Sequence, residues 1–172
     1  MEVKEVASKM CGKHIMLPQT EPYGFTCGSV YVQEVIDAAE EMIIACCYDY
    51  NLQMPVLKYT KRWEYLGDID RIEFNYPGSV FSVPINPVDG VDIFMLQDVA
   101  KHLDIDESKQ STLVFLMKNL YTLFTERDCI KATINPLILS KDGSFYAGNS
   151  KISIDKNSLY RQAELKCLED IT

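Results

Sequence analysis

The sequence predicts a mixed α+β domain with a largely antiparallel sheet packed against helices. Short segments rich in β-branched and aromatic residues are separated by turn residues, a pattern typical of antiparallel strands. Other segments carry apolar residues at steps of three and four, which is typical of amphipathic helices. With 172 residues, 47% of them hydrophobic, the chain is long and apolar enough for one domain with its own core.

The first part of the chain predicts one short helix and then strands. Residues 2–10 form the predicted helix, which ends at Gly12 because glycine readily adopts the conformation that closes a helix. Strands are predicted over 14–19, 30–35, 42–50 and 54–60, with a loop over 20–28. The turn Asp49-Tyr50-Asn51 joins the last two of these strands into an antiparallel hairpin.

The second part predicts two helices between strands. After an irregular polar segment over 61–78, the pattern gives strand 80–85, a helix from Ile93 to Leu103 and a longer helix. The longer helix is marked by Leu113, Leu116, Met117, Leu120, Leu123 and Phe124. A hairpin of strands 129–140 and 144–154 turns at Lys141-Asp142-Gly143, and a last helix covers 157–169.

Charge excludes two classes of partner. The net charge of −8 argues against nucleic acid, whose phosphates are bound by clusters of Lys and Arg, and against anionic membrane surfaces. No apolar run is long enough to span a bilayer, and the first ten residues do not resemble a signal peptide. The six cysteines show no C-x-x-C spacing, and we expect free, mostly buried thiols.

One hairpin motif suggests a family. Thr133-Ile134-Asn135-Pro136-Leu137 precedes the Lys-Asp-Gly turn, and Asn149-Ser150-Lys151 follows it. This arrangement resembles the magnesium-binding hairpin of ATP-grasp enzymes, in particular the beta subunit of succinate–CoA ligase. Further similar segments are Pro18-Gln19-Thr20, Asn86-Pro87-Val88-Asp89-Gly90 and Tyr160-Arg161-Gln162 with Glu164. The resemblance covers nearly the whole chain and implies an ATP-grasp-like lobe.

The resemblance also implies what such a lobe would lack. Members of the family carry an earlier ATP-grasp lobe that contacts phosphates, and a CoA-ligase domain that follows. We therefore expect residues 1–172 to form one partial ATP-grasp domain of the succinate–CoA ligase beta type.

Several positions depart from the family's pattern. The family has Glu at position 133 and Asp at position 149, where this chain has Thr133 and Asn149. Magnesium prefers charged, hard oxygen ligands, so Asn135 and Asn149 are predicted to be vestigial metal positions that do not bind. Gln33 and Asn86 likewise replace family carboxylates.

At three positions this chain has the same amino acid as the family, and the resemblance implies that these residues form a vestigial nucleotide site. They are Glu41, Asn135 and Lys151. Each has a plainer interpretation: Asn135 shapes the strand end before Pro136, Glu41 is a solvated carboxylate at a helix start, and Lys151 is a surface lysine. The two histidines, His14 and His102, have no acidic or cysteine neighbours, and no catalytic residue is predicted.

The glycine-rich loop of the family is replaced here by bulky residues. Tyr65 and Leu66 stand where the family has glycines, and Trp63 is close by. Exposed aromatic side chains are typical interface anchors, so Trp63, Tyr65 and Leu66 are candidate interface residues. The alternative is that they fill the space of the missing lobe.

The expected function is therefore structural. The pattern favours a non-catalytic, ATP-grasp-like accessory subunit of a larger protein complex, without a cofactor, mitochondrial by family analogy and otherwise cytoplasmic. The alternative is a fragment or split subunit of an active ADP- or GDP-forming ligase, using Mg²⁺ and ATP or GTP with a ligase alpha subunit. A weaker possibility is a nucleotide sensor that binds without metal.

Overall fold

The computed structural model describes residues 2–16, 23–61 and 68–166. Its chain divides into two compact units, Met1–Val35 and Ile36–Thr172. That residues 1–172 make one partial ATP-grasp domain stays a prediction.

The first unit contains a helix and a small two-stranded sheet. Helix α1 spans Val3–Met10, and strands β1 (His14–Ile15) and β2 (Phe25–Thr26) pair antiparallel. Gly12 takes a φ of +77° just after the helix, which favours glycine, and its N–H donates to Cys27 O at 2.8 Å. The predicted helix and its glycine end are confirmed.

Three expectations for this unit need correction. The strand predicted over 14–19 begins correctly but ends at Ile15, with 17–19 outside the described residues. The loop predicted over 20–28 contains β2. The strand predicted over 30–35 is wrong, because a β-like composition makes a strand only where a neighbouring strand supplies hydrogen bonds, and 30–35 pairs with no described strand.

The second unit is built on a six-stranded antiparallel sheet. Its strands are β3 (Ala38–Asp49), β4 (Met54–Thr60), β5 (Phe81–Pro84), β6 (Cys129–Ser140), β7 (Phe145–Ala147) and β8 (Ser150–Ile154). The order is β5-β4-β3-β6, and β7 and β8 both pair with β6. The predicted α+β class with a mostly antiparallel sheet is confirmed.

Helices fill the connections of this sheet. They are α2 (Ile69–Asn75), α3 (Ile93–His102), α4 (Glu107–Glu126), a 3₁₀ helix (Lys156–Arg161) and α5 (Ala163–Lys166). Helix α3 begins at Asp92, whose carboxylate accepts from Phe94 N at 3.0 Å and so satisfies one open N–H of the first turn. None of the helices in the described part of the chain is long and apolar enough to cross a membrane.

Two helical segments differ from expectation. The polar segment predicted as irregular over 61–78 contains α2, whose Ile69 and Ile72 are buried against the sheet. Only these two apolar residues carry the helical period, so the pattern is weak. The last helix predicted over 157–169 is a 3₁₀ turn followed by one short α-helical turn in its described part.

Strand β3 forms the centre of the core because both faces of the sheet are covered there. Residues 42–47 are all buried, and a continuous buried run of this kind indicates a strand packed on two sides. Met42, Ile44 and Cys46 face the cluster formed with α3 and α4. Ile43 and Ala45 face the smaller cluster with α2. The face that α2 covers is therefore the less protected one.

The described cysteines are free thiols, as predicted. Cys27, Cys46, Cys47 and Cys129 are buried and Cys11 is exposed. Cys167 lies outside the described residues.

Candidate functional site

The hairpin of β6 with β8 brings the motif residues together. Thr133 pairs with Lys151 across the two strands, and the Asn135 N–H donates to the Asn149 carbonyl oxygen at 2.9 Å. Side chains of directly paired residues lie on the same face of a sheet. The structure therefore places Thr133 and Lys151 side by side, with Asn135 and Asn149 one step further along the same two strands.

A glycine separates β7 from β8 beside this motif. Gly148 N–H donates to Pro136 O at 2.9 Å, and the Asn135–Pro136 peptide bond is cis. A Cβ atom at position 148 would lie 2.8 Å from Ile138 Cδ1 and 3.2 Å from the Pro136 carbonyl oxygen. Only glycine allows this close approach without a shift of the neighbouring strand. The strand predicted over 144–154 is consequently two short strands.

Thr133 occupies the centre of the motif and is almost fully buried. It is 5% exposed and lies between Ala45 on β3 and Lys151 on β8. Its hydroxyl oxygen has no hydrogen-bond partner among the described residues. A buried hydroxyl without a partner costs about 1–3 kcal/mol relative to one that is satisfied. Position 133 thus holds a neutral hydroxyl that makes no hydrogen bond to the described residues of the surrounding strands.

The residues at this hairpin do not fit a magnesium ion. A Mg²⁺ site is usually built on one or two carboxylates with octahedral oxygen ligands, whereas Thr133 and Asn149 provide a hydroxyl and an amide. Within the described ranges, no group of three or more His, Cys, Asp or Glu side chains is placed to hold a metal ion. No chemical step through a metal follows from this geometry.

Glu41 lies in the same sheet but not where its plainer interpretation placed it. That interpretation put Glu41 at the start of a helix and is wrong, because Glu41 is a half-buried residue of β3 paired with Ile138. Ile138 follows Asn135 by three positions along β6. The three predicted nucleotide-site residues, Glu41, Asn135 and Lys151, therefore lie on three neighbouring strands.

Other predicted positions lie elsewhere. Asn86 shapes its own turn, with its side-chain oxygen accepting from Val88 N at 2.9 Å. Gln33 belongs to the first unit. The candidate interface residues Trp63, Tyr65 and Leu66 lie outside the described residues, and their role stays a prediction.

A network of charged side chains on the α2 face of the sheet was not predicted. Lys131 on β6 contacts Asp68 and lies with its Nζ 2.6 Å from Asp70 Oδ2. Lys58 on β4 lies 2.6 Å from Glu73 Oε2 and 3.3 Å from Asp70 Oδ1. The lysine side chains are only 15% and 12% exposed, respectively. These two lysines attach α2 to the sheet.

Burial and ion pairing shift the pKa values of Lys131 and Asp70 in opposite directions. Burial lowers the pKa of Lys131, but the hydrogen bonds to Asp68 and Asp70 outweigh it and raise the pKa above its ordinary value. Burial raises the pKa of Asp70, but Lys131 and Lys58 outweigh it and lower that pKa. The raised pKa of Lys131 and the lowered pKa of Asp70 both favour the charged forms of this ion pair. The available sequence signal was a lysine inside each of two otherwise apolar strands.

Comparison with known proteins agrees with this architecture. The sequence profile of the ATP-grasp domain matches residues 1–139. Two similar relatives are named "Succinate--CoA ligase [ADP-forming] subunit beta". The one from Cereibacter sphaeroides is 31% identical over 171 residues, covering 99% of this chain and 43% of the relative. The one from Campylobacter jejuni subsp. doylei is 32% identical, covering 99% and 44%.

Among solved structures, ATP citrate lyase from Methanothrix soehngenii, in complex with citrate and coenzyme A, shares the fold. The TM-score is 0.65 at 16% identity, over 94% of this chain and 34% of that one. This likeness concerns the fold alone. The chain spans less than half the length of the curated relatives it matches. From the profile match over most of its length, the chain belongs to the ATP-grasp family, with homologues among succinate–CoA ligase beta subunits.

Proposed function

We propose that this chain is a non-catalytic, ATP-grasp-like accessory subunit of a larger protein complex. The observation that supports it most directly is Thr133. A buried, unpartnered hydroxyl stands where the family resemblance requires a magnesium carboxylate, and Asn149 replaces the second one. Without these charges, nothing at the hairpin offsets the dehydration of Mg²⁺.

The energetic demand of phosphoryl transfer supports the same proposal. Enzymes lower the barrier by at least about 8 kcal/mol, and phosphoryl-transfer sites do so mainly by positioning and electrostatic stabilisation. Both contributions depend on the metal ion and the groups that hold it. The proposal includes no bound cofactor, and by family analogy its location is mitochondrial, otherwise cytoplasmic.

A second candidate is a split or partial subunit of an active succinate–CoA ligase. It is favoured by the similarity of this chain to ligase beta subunits, at 31% identity over 171 residues. Glu41, Asn135 and Lys151 also lie on neighbouring strands, as a nucleotide site would need. In this reading the chain binds Mg²⁺ with ATP or GTP only together with a partner that supplies the rest of the ligase and its alpha subunit.

One measurement separates these two candidates. The native protein is fractionated by size, with mass spectrometry of the co-migrating chains, and the fraction that contains it is then titrated with Mg²⁺ and ATP by calorimetry. The accessory role predicts no Mg-dependent nucleotide binding and migration in a multi-subunit assembly. Migration as a monomer with no partner contradicts the accessory role, and migration with a ligase alpha subunit favours the split enzyme.

A paired variant tests whether carboxylates at positions 133 and 149 create a Mg²⁺ site at the hairpin. Asn149→Asp changes an exposed position, and Thr133→Glu changes a buried one, so the single Asn149→Asp variant guards against misfolding of the double variant. We expect the double variant to gain Mg²⁺ affinity that the original chain lacks. Equal Mg²⁺ affinity before and after the changes would show that the two positions do not form the metal site.

A further inference from the structure

A cleft of about 570 Å³ opens on the α2 face of the sheet, and its lining includes Lys131 but not Thr133, Asn135, Asn149 or Lys151. Its charged lining comes from Lys58 and Lys131 on the strands and from Asp70 and Glu73 on α2. The hairpin turn after β3 contributes Tyr50. No part of the proposed function uses this cleft.

The charged side chains of the cleft differ in their exposure to solvent. The two lysine side chains are 12% and 15% exposed, whereas the side chains of Asp70 and Glu73 are 58% and 43% exposed. The lysine side chains are therefore more buried than the carboxylates with which they pair. Asp49 lines the same cleft and adds a further negative charge. The three carboxylates Asp49, Asp70 and Glu73 outnumber the two lysines, so the lining has a net negative charge.

Large apolar side chains surround these carboxylates. Tyr50 is 83% exposed and Ile130 is 46% exposed, and both line the cleft. Phe74 is 85% exposed and follows Asp70 by four residues on α2, so the two share one face of the helix. Exposed aromatic residues around a recess are typical of protein interfaces, where such side chains anchor a partner.

We infer that this cleft, which Tyr50 and Ile130 line, is a docking surface for a basic segment of a partner protein. The occupant is an arginine side chain. A guanidinium group can share the partly exposed carboxylates of Asp70 and Glu73 with the two lysines and also stack on the ring of Tyr50, which a lysine ammonium does less well. The net charge of −8 on the chain favours the approach of such a segment.

The inference rests on the proposed accessory function and names the surface it would use. Its test is a titration of the isotopically labelled full chain with the dipeptides acetyl-Arg-Arg-amide, acetyl-Lys-Lys-amide and acetyl-Glu-Glu-amide, followed by NMR. We expect saturable shifts confined to the amides of Asn51, Glu73 and Ile130. The arginine peptide should bind more tightly than the lysine peptide, and the glutamate peptide should cause no shift.

Two tyrosines of equal exposure give a matched pair of variants. Tyr50 is 83% exposed and Tyr23 is 82% exposed, and Tyr23 belongs to the other unit. Because both side chains are in solvent, neither Tyr50→Ser nor Tyr23→Ser should disturb folding. Tyr50→Ser should weaken arginine-peptide binding about threefold, the loss expected for one exposed cation–π contact, and Tyr23→Ser should not.

The inference is overturned if the shifts spread over the acidic surface in general, if Tyr50→Ser binds as tightly as the original chain, or if the glutamate peptide binds equally well. None of these results touches the accessory role, which is decided by nucleotide binding and native size. Conversely, Mg-dependent nucleotide binding would contradict the accessory role. It would not affect the docking surface, which the peptide titration tests separately.

Discussion

Lys131 and Asp70 form an ion pair between strand β6 and helix α2, with Nζ 2.6 Å from Oδ2. Sixty-one residues separate them in sequence. Lys131 also contacts Asp68, the residue that precedes α2. Since α2 buries only Ile69 and Ile72, the ion pairs supply a large part of what holds this short helix on the sheet.

Replacing Lys131 by methionine tests this attachment. We expect Lys131→Met to lower the free energy of unfolding by about 1–2 kcal/mol, because Asp68 loses its partner and Asp70 keeps only Lys58. Urea unfolding followed by circular dichroism measures the change. The control is Lys101→Met, which removes an ion pair to Asp98 that is 64% and 78% exposed and should cost less than about 0.5 kcal/mol. Equal effects of the two variants would contradict the role of Lys131.

Acid stability should depend on Asp128. Hydrogen bonds from Arg161 and Gln162 lower the pKa of Asp128 from 3.8 to about 2. A carboxyl whose pKa is lower in the folded protein stabilises the fold fully above its unfolded-state pKa. That stabilisation is lost as pH falls from 3.8 through about 2.

The variant Asp128→Asn isolates this charge. Asp128 has a φ of +51°, a conformation that asparagine also tolerates, so the backbone should be kept. We expect the original chain to lose stability more steeply than the variant between pH 4 and pH 2, as measured by urea unfolding at a series of pH values. Parallel curves for the two proteins over that range would contradict the prediction.

The elements predicted well from the sequence are those whose signal is local. The β3–β4 hairpin and α4 carry their apolar periods within a single segment, and the Asp49-Tyr50-Asn51 turn lies where it was expected. Helix α2 was missed because only Ile69 and Ile72 carry its apolar period, and its charged partners, Lys58 and Lys131, lie on distant strands. A pattern read along one segment cannot include such partners.

The candidate site also has features that the sequence predicts and features that depend on packing between distant segments. The pairing of Thr133 with Lys151 follows from a hairpin centred on Lys141-Asp142-Gly143, so the neighbourhood of the motif could be predicted. That the Thr133 hydroxyl is buried without a partner depends on packing from β3 as well, and the sequence does not contain that information. The charged cleft depends on two strands and a helix together and had no local signal beyond the isolated lysines.

Gly148 should tolerate no side chain. In Gly148→Ala the added methyl group meets the Pro136 carbonyl oxygen at 3.2 Å and Ile138 Cδ1 at 2.8 Å, so the Ile138 side chain must turn away and the Pro136 backbone must yield slightly. We expect a loss of about 1–3 kcal/mol in the free energy of unfolding. Gly28→Ala is the control, because nothing lies within 4 Å of a Cβ there and no positive φ is required. A neutral Gly148→Ala would show that Ile138 and the Pro136 backbone admit the methyl group without cost.

Thr133 gives the last prediction, because its hydroxyl can be removed with little change of shape. Thr133→Val replaces an unpartnered buried hydroxyl by a methyl group, so the cost of burying that polar atom disappears. We expect the free energy of unfolding to stay equal or to rise by about 1 kcal/mol in urea unfolding experiments.

Thr60 is the matched control for this change. It is 2% exposed, and its hydroxyl donates to Ser79 O at 2.8 Å. Thr60→Val should therefore lower stability by about 1–2 kcal/mol, because Ser79 O loses a donor. If Thr133→Val destabilises the chain as much as Thr60→Val, the Thr133 hydroxyl has a partner in solution, and the argument that position 133 holds an unused neutral group fails. If only Thr60→Val destabilises it, the position once suited to a carboxylate carries no polar role in this chain.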